Sequence, residues 1–120
     1  RFSGLTDFVH VRDVAAAFAA ASGTPLEGAE TLAITGEPAT AETFAAEVRR
    51  VVPGARIAVE GPRLPISPDL DRNALRARFP ALRPTSLADG VAETIAWYRA
   101  AGDDRVRMDS PGRVRMPAGP

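Results

Sequence analysis

The chain has 120 residues, 45% of them hydrophobic, and a formal net charge of zero. That suffices for one domain with a core, is too short for two, and carries no basic field to draw it to nucleic acid. Cysteine is absent, histidine occurs once and all 15 basic residues are arginine, which excludes disulfides, thiolate zinc sites, histidine-rich metal centres, a Schiff-base lysine and a phosphate-loop lysine.

No apolar run reaches the roughly 18–20 residues that cross a bilayer, so no membrane partner is expected. The lack of cysteine fits a reducing cytoplasm. The chain opens on Arg1, not Met, and shows no signal peptide; a start further upstream is expected.

The stretch Asp7 to Ala21, DFVHVRDVAAAFAAA, changes its period halfway. Phe8, Val9 and Val11 are strand formers, and His10 sits among them. Arg12 to Ala21 reads as a helix with Asp13 in its first turn, where negative charge suits the helix dipole. Val14 to Ala21 leave that helix no polar face, and such a helix is normally buried. Gly23, Thr24 and Pro25 stop it.

Glu30 to Gly36 (ETLAITG) is a predicted short strand with Leu32 and Ile34 on one face. Thr40 is the N-cap of a helix over Ala41 to Val52, striped by Phe44, Val48 and Val51 or Val52. Ala55 to Gly61 (ARIAVEG) alternates as a further strand. Pro62, Pro65 and Pro68 then stiffen a loop. Asp69 or Asp71 caps a short helix to about Arg78, and Ser86 with Asp89 resembles a capping box before the last helix. Leu87, Val91, Ile95 and Tyr98 recur along that helix, and Gly102 ends it.

The tail, 103–120, repeats RVRM at Arg105 to Met108 and Arg113 to Met116 around DSPG. The repeat could close a hairpin, but a lone two-stranded hairpin is marginal in water, so a disordered, solvated tail is expected. Short strands alternating with three or four longer helices give an α/β or α+β class with a small sheet.

Little of this carries catalytic chemistry. A serine triad would need His10, and no serine stands on a glycine elbow. Asp69 and Asp71 read as helix caps before they read as a carboxylate pair. No glycine pattern resembles a dinucleotide or phosphate loop. Two residues remain. His10 is either a packed histidine at a strand end or a group facing a site. Arg63 is either a solvated arginine or an anion-binding fork held by the proline loop.

Three segments, in order, resemble one family. DFVHVRDVAAAF, ETLAITGEPATAETFAAEVRRVV and DLDRNALRARFPALRPTSLADGVAETIAWYR are similar to the closing part of the extended short-chain dehydrogenase/reductases, the NAD-dependent epimerase/dehydratase family. The last segment matches at Pro84, Thr85, Leu87, Gly90, Val91, Thr94, Ile95 and Trp97. The resemblance covers about residues 5 to 100. It implies that residues 1–102 are the C-terminal, substrate-binding portion of an extended Rossmann-type enzyme.

In that family the glycine-rich turn and a Tyr-x-x-x-Lys pair lie in an N-terminal sheet that holds NAD or NADP. Neither is in this chain: the residue four after Tyr98 is Gly102, and there is no lysine. The resemblance therefore implies a parent enzyme passing hydride between NAD(P) and a sugar-type alcohol or ketone. This chain would bind no cofactor by itself and hold no catalytic residue, and it would supply His10 and Arg63 as substrate contacts. Members that bind nucleotide sugars often have arginine where this chain has Thr6, so the substrate stays open between a nucleotide sugar and a smaller sugar acid, aldehyde or ketone. The other reading is a non-catalytic interaction module lacking the cofactor half. In either case the apolar helix after His10 is expected to be exposed in the isolated chain and to drive self-association, as a homodimer for example.

Overall fold

The computed structural model describes residues 4–25, 27–63 and 70–101, together with the backbone of 107–110 and 113–115. Its elements, in chain order, are β1 (Leu5–Phe8), α1 (Val11–Ser22), β2 (Glu37–Thr40), α2 (Ala41–Val51), α3 (Arg72–Arg78), α4 (Leu87–Ala101), β3 (Arg107–Ser110) and β4 (Arg113–Arg115). β1 pairs antiparallel with β2, Leu5 opposite Thr40 and Phe8 opposite Glu37. This is a mixed α+β arrangement with an antiparallel pair; among the described residues there is no parallel sheet.

The helices start where the side chains dictate. The Thr40 hydroxyl accepts from the Thr43 N–H at 3.1 Å, and α2 begins at the next residue. Asp71 caps α3 by accepting from the N–H groups of Asn73 and Ala74; Asp69 lies outside the described residues. Before α4, Ser86 accepts from the Asp89 N–H at 3.1 Å and donates its own hydroxyl to the Asp89 carboxylate at 2.6 Å. Glu37 accepts from the Leu87 N–H at 2.7 Å, so β2 also caps α4.

The strands depart from expectation. Glu30 to Gly36 forms no strand, and the ladder begins at Glu37. Gly36 approaches the β1 backbone too closely to continue a regular ladder: a Cβ built on it would lie 1.7 Å from the Phe8 carbonyl oxygen. Its N–H is also taken, donating to Asp7 Oδ2 at 2.8 Å. β2 instead contains Pro38, tolerated because this strand is an edge. Ala55 to Gly61 keeps its alternation, with Ile57 and Val59 half-buried between exposed neighbours, but forms no strand among the described elements. Arg49 Nη2 donates to the Ile57 carbonyl at 2.6 Å in place of a ladder bond. In the tail, β3 and β4 pair antiparallel, with Arg107 opposite Arg115 and Met108 opposite Val114; the rest of 102–120 lies outside the described residues.

The core lies between the β1–β2 pair, α2 and α4. Ala39, Leu87 and Val91 are buried, and Phe8, Phe44, Val48, Val51 and Ile95 pack around them. Phe8 and Phe44 stack with centroids 4.9 Å apart and planes 6° from parallel. Tyr98, expected on the apolar stripe, is half exposed and packs edge-on against exposed Trp97 instead. α1 starts at Val11 and buries only Ala17; Val11 and Phe18 stand open on one side of it.

Replacing Gly36 by alanine is expected to cost on the order of 3 kcal/mol or more, because backbone must move to admit the methyl group. Gly54, where an added Cβ meets nothing within 4 Å, is the control: Gly54→Ala should stay within about 0.5 kcal/mol of the parent. Urea denaturation of both variants checks the contrast.

Candidate functional site

The site is built around the junction of β1 and α1. Two aspartates, three residues either side of His10, fix this junction. Asp7, nearly buried, accepts from the Gly36 N–H and from Arg72 Nη2, each at 2.8 Å. Asp13 accepts from the Thr85 N–H at 2.8 Å and the Thr85 hydroxyl at 2.7 Å. The first ties the strand to the segment before β2 and to α3. The second ties the start of α1 to the segment entering α4. Arg12 adds an exposed ion pair to Glu93 on α4, and that carboxylate holds the Arg12 guanidinium above its ordinary value.

Between these ties sits His10, at the N-cap of α1. Its carbonyl accepts from Asp13 and Val14 at 3.0 and 3.3 Å, but its side chain makes no capping bond. Serine, threonine, aspartate or asparagine would be preferred at such a position. The imidazole is turned instead against α4. A Cβ on Gly90 would come within 3.2 Å of His10 Cδ2, so glycine is what lets the ring lie there. His10 Nδ1 is buried with no hydrogen-bond partner.

The ring forms part of the wall of a cavity of about 160 Å³. Phe8 and Val9 line it from the β1 side, and Phe44 and Val48 from α2. The remaining wall is the α4 segment, Thr85 through Ile95, including Leu87, Gly90, Val91 and Thr94. Among the described residues no aspartate, glutamate or arginine lies in the lining. Of its hydroxyls, Thr85 is committed to Asp13 and Ser86 to Asp89. His10 and Thr94 are the polar side chains left uncommitted. An arrangement of this kind can hold a small, largely apolar molecule and fix its orientation through one or two hydrogen bonds.

Arg63 is elsewhere. It is exposed, and its side chain lies over Gly4, where a Cβ would meet Nε at 3.2 Å. Gly4 precedes β1, whereas His10 follows it, so the structure sets the two expected contacts at opposite ends of that strand and brings only His10 to the cavity. The proline loop expected to stiffen Arg63 lies outside the described residues over 64–69.

A second, smaller recess of about 50 Å³ lies beneath α3, where Arg72, Arg76 and Arg83 approach Asp13. Asp13 is already engaged there with Thr85, and Arg72 with Asp7. Among the described residues no three His, Asp or Glu side chains gather to hold a metal ion, and no helix is long and apolar enough to cross a membrane.

The sequence singles out His10 but not its surroundings. It marks Asp13 as a charge in the first turn of α1 and gives Asp7 no role, whereas the structure makes them ties to Thr85 and to Gly36 and Arg72. The signal that was available is the N-cap: a histidine where a short capping side chain is preferred means that the ring has another role. Comparison with protein-family models, curated proteins and solved structures finds no match.

An unpartnered buried nitrogen is a cost, about 1–3 kcal/mol for a typical polar group. His10→Leu, which removes it, is therefore expected to leave stability within about 0.5 kcal/mol of the parent or to raise it. A chemical-denaturation midpoint that falls sharply instead would mean that the ring supports the fold.

Proposed function

We propose that this chain is the substrate-binding portion of an NAD(P)-dependent enzyme of the epimerase/dehydratase type, and that the His10 cavity is its contribution to the substrate cleft. One observation carries the reading. The three segments that bear the family resemblance, residues 7–18, 30–52 and 69–99, are far apart in sequence, and residues from all three line this one cavity. The parent enzyme would move hydride between a sugar-type alcohol or ketone and the nicotinamide. The chain itself supplies binding and orientation, since it lacks both the glycine-rich turn and the Tyr-x-x-x-Lys pair.

The reading frame that encodes Arg1 is expected to continue upstream into a glycine-rich turn and a Tyr-x-x-x-Lys pair. A start codon directly before Arg1 would sink the proposal. In the isolated chain, NAD and NADP should leave the amide NMR spectrum unchanged. A shift caused by either cofactor at His10 or Gly90 would likewise count against it.

A second reading, a non-catalytic interaction module, is favoured by the apolar surface of α1. Val11 and Phe18 are 73% and 68% exposed, lie two turns apart on one side of the helix and flank exposed Ala15. Under either reading the isolated chain should self-associate through this face. Light scattering is expected to show dimers or larger species that Phe18→Glu returns to monomers; a monodisperse parent monomer at high concentration is the contrary result.

A further inference from the structure

We infer that the His10 cavity takes a compact, uncharged molecule, about one six-membered ring in size, that presents a ketone, aldehyde or hydroxyl oxygen to His10, and that it does not take a phosphorylated or nucleotide-linked sugar. The inference rests on the reading of the cavity as a binding wall and adds the class of ligand. Three observations carry it.

The first is volume. About 160 Å³ is close to the roughly 150 Å³ of an engineered apolar cavity that accepts benzene. The recess is open to solvent, so this volume sets the size of the group seated in it, and the exclusion of phosphorylated sugars rests on charge.

The second is charge. A phosphate or carboxylate in an apolar recess needs arginine, lysine or a helix N-terminus to replace its water. Among the described residues the lining offers no charged side chain. The N-terminus of α4 beside it is already capped, by Ser86 on Asp89 and by Glu37 on Leu87.

The third is the imidazole. A neutral histidine carries one N–H donor and one bare acceptor nitrogen. His10 Nδ1 is buried and unpartnered. Leaving an N–H donor orphaned in an apolar setting costs more than leaving a lone pair there. The proton therefore resides on Nε2, and His10 meets a ligand as a hydrogen-bond donor. A donor at that position selects a ligand oxygen. Thr94, whose hydroxyl is also uncommitted, can give or accept a second bond. Gly90 sets the placement, since any side chain there would press on Cδ2, the ring carbon next to Nε2.

The test uses the 120-residue chain with uniform 15N labelling. Ring nitrogen shifts of the neutral His10 should show protonation on Nε2; protonation on Nδ1 overturns the inference. Acetophenone, ethylbenzene, glucose 1-phosphate and UDP-glucose are then titrated separately. Acetophenone is expected to shift the amides of His10, Gly90 and Val91 and to bind about tenfold tighter than ethylbenzene, the increment of one hydrogen bond. His10→Phe should abolish that preference while still admitting both molecules. Should His10→Phe fail to fold, the ring tautomer and the wild-type preference still decide the matter. Shifts from either phosphorylated sugar at these amides would overturn the ligand class and leave the binding wall standing. Silence from all four probes would overturn both.

Discussion

The fold depends on two carboxylates at the ends of one short stretch. Asp7 reaches Gly36 and Arg72, 29 and 65 residues away, and Asp13 reaches Thr85, 72 residues away. The apolar core could not set this register by itself. Its buried hydrophobics are Ala17, Ala39, Ala41, Ala45, Leu87 and Val91, and four alanines bury little area and interlock with little shape. Hydrogen bonds to a charged acceptor contribute roughly 1.5–3 kcal/mol each, comparable to burying one large aliphatic side chain. They are also directional. Where a core is small and made largely of alanine, such bonds decide which segments meet.

This explains why the helices were legible and the strands were not. Helix signals are local: Thr40, Asp71 and Ser86 each cap within three residues, and Phe44 with Val48 marks a stripe within two turns. The strands required knowledge of what lies opposite. Glu30 to Gly36 has an apolar alternation, but it reaches Phe8 with its backbone at Gly36, and so the ladder moved to the less strand-like Glu37–Thr40. Ala55 to Gly61 has the pattern but is not a strand among the described elements. Alternation reports which side of a segment is buried; it does not report a neighbouring strand. Tyr98 failed for the converse reason. Its spacing fits the stripe, but α4 outruns the core, and among the described residues its last turns leave Trp97 and Tyr98 exposed.

The site was half legible for a related reason. His10 stood out because the chain has no second histidine, but its environment is made by residues 75 to 85 positions away. Asp7 and Asp13 were visible at symmetric spacing about it. Their function as ties could only emerge once Gly36, Arg72 and Thr85 were in place. Arg63 stands out in sequence for its chemistry and its proline-rich neighbourhood, neither of which reports position; its side chain lies at Gly4, at the other end of β1 from this cavity. An unusual residue at a position with a strong local preference, histidine at an N-cap, was the more informative sign.

The distribution of charge makes the argument about the cavity sharper. A quarter of the chain is charged, yet among the described residues no aspartate, glutamate or arginine enters the cavity lining. Those charges are placed around it instead: Asp7 with Arg72, Asp13 on Thr85, Glu37 on the first turn of α4, Arg12 with Glu93. Each carboxylate there has its donors already, inside the protein, so none must be desolvated again when a neutral molecule enters. The imidazole is the exception: its Nδ1 is buried without a protein partner. In a neutral ring the bare lone pair is the less costly group to leave there, which turns the N–H to Nε2. The same segregation that holds β1, α1 and α4 together thus leaves the described lining uncharged, and the Nε2–H inferred for His10 is the donor that the oxygen of a neutral ligand would meet.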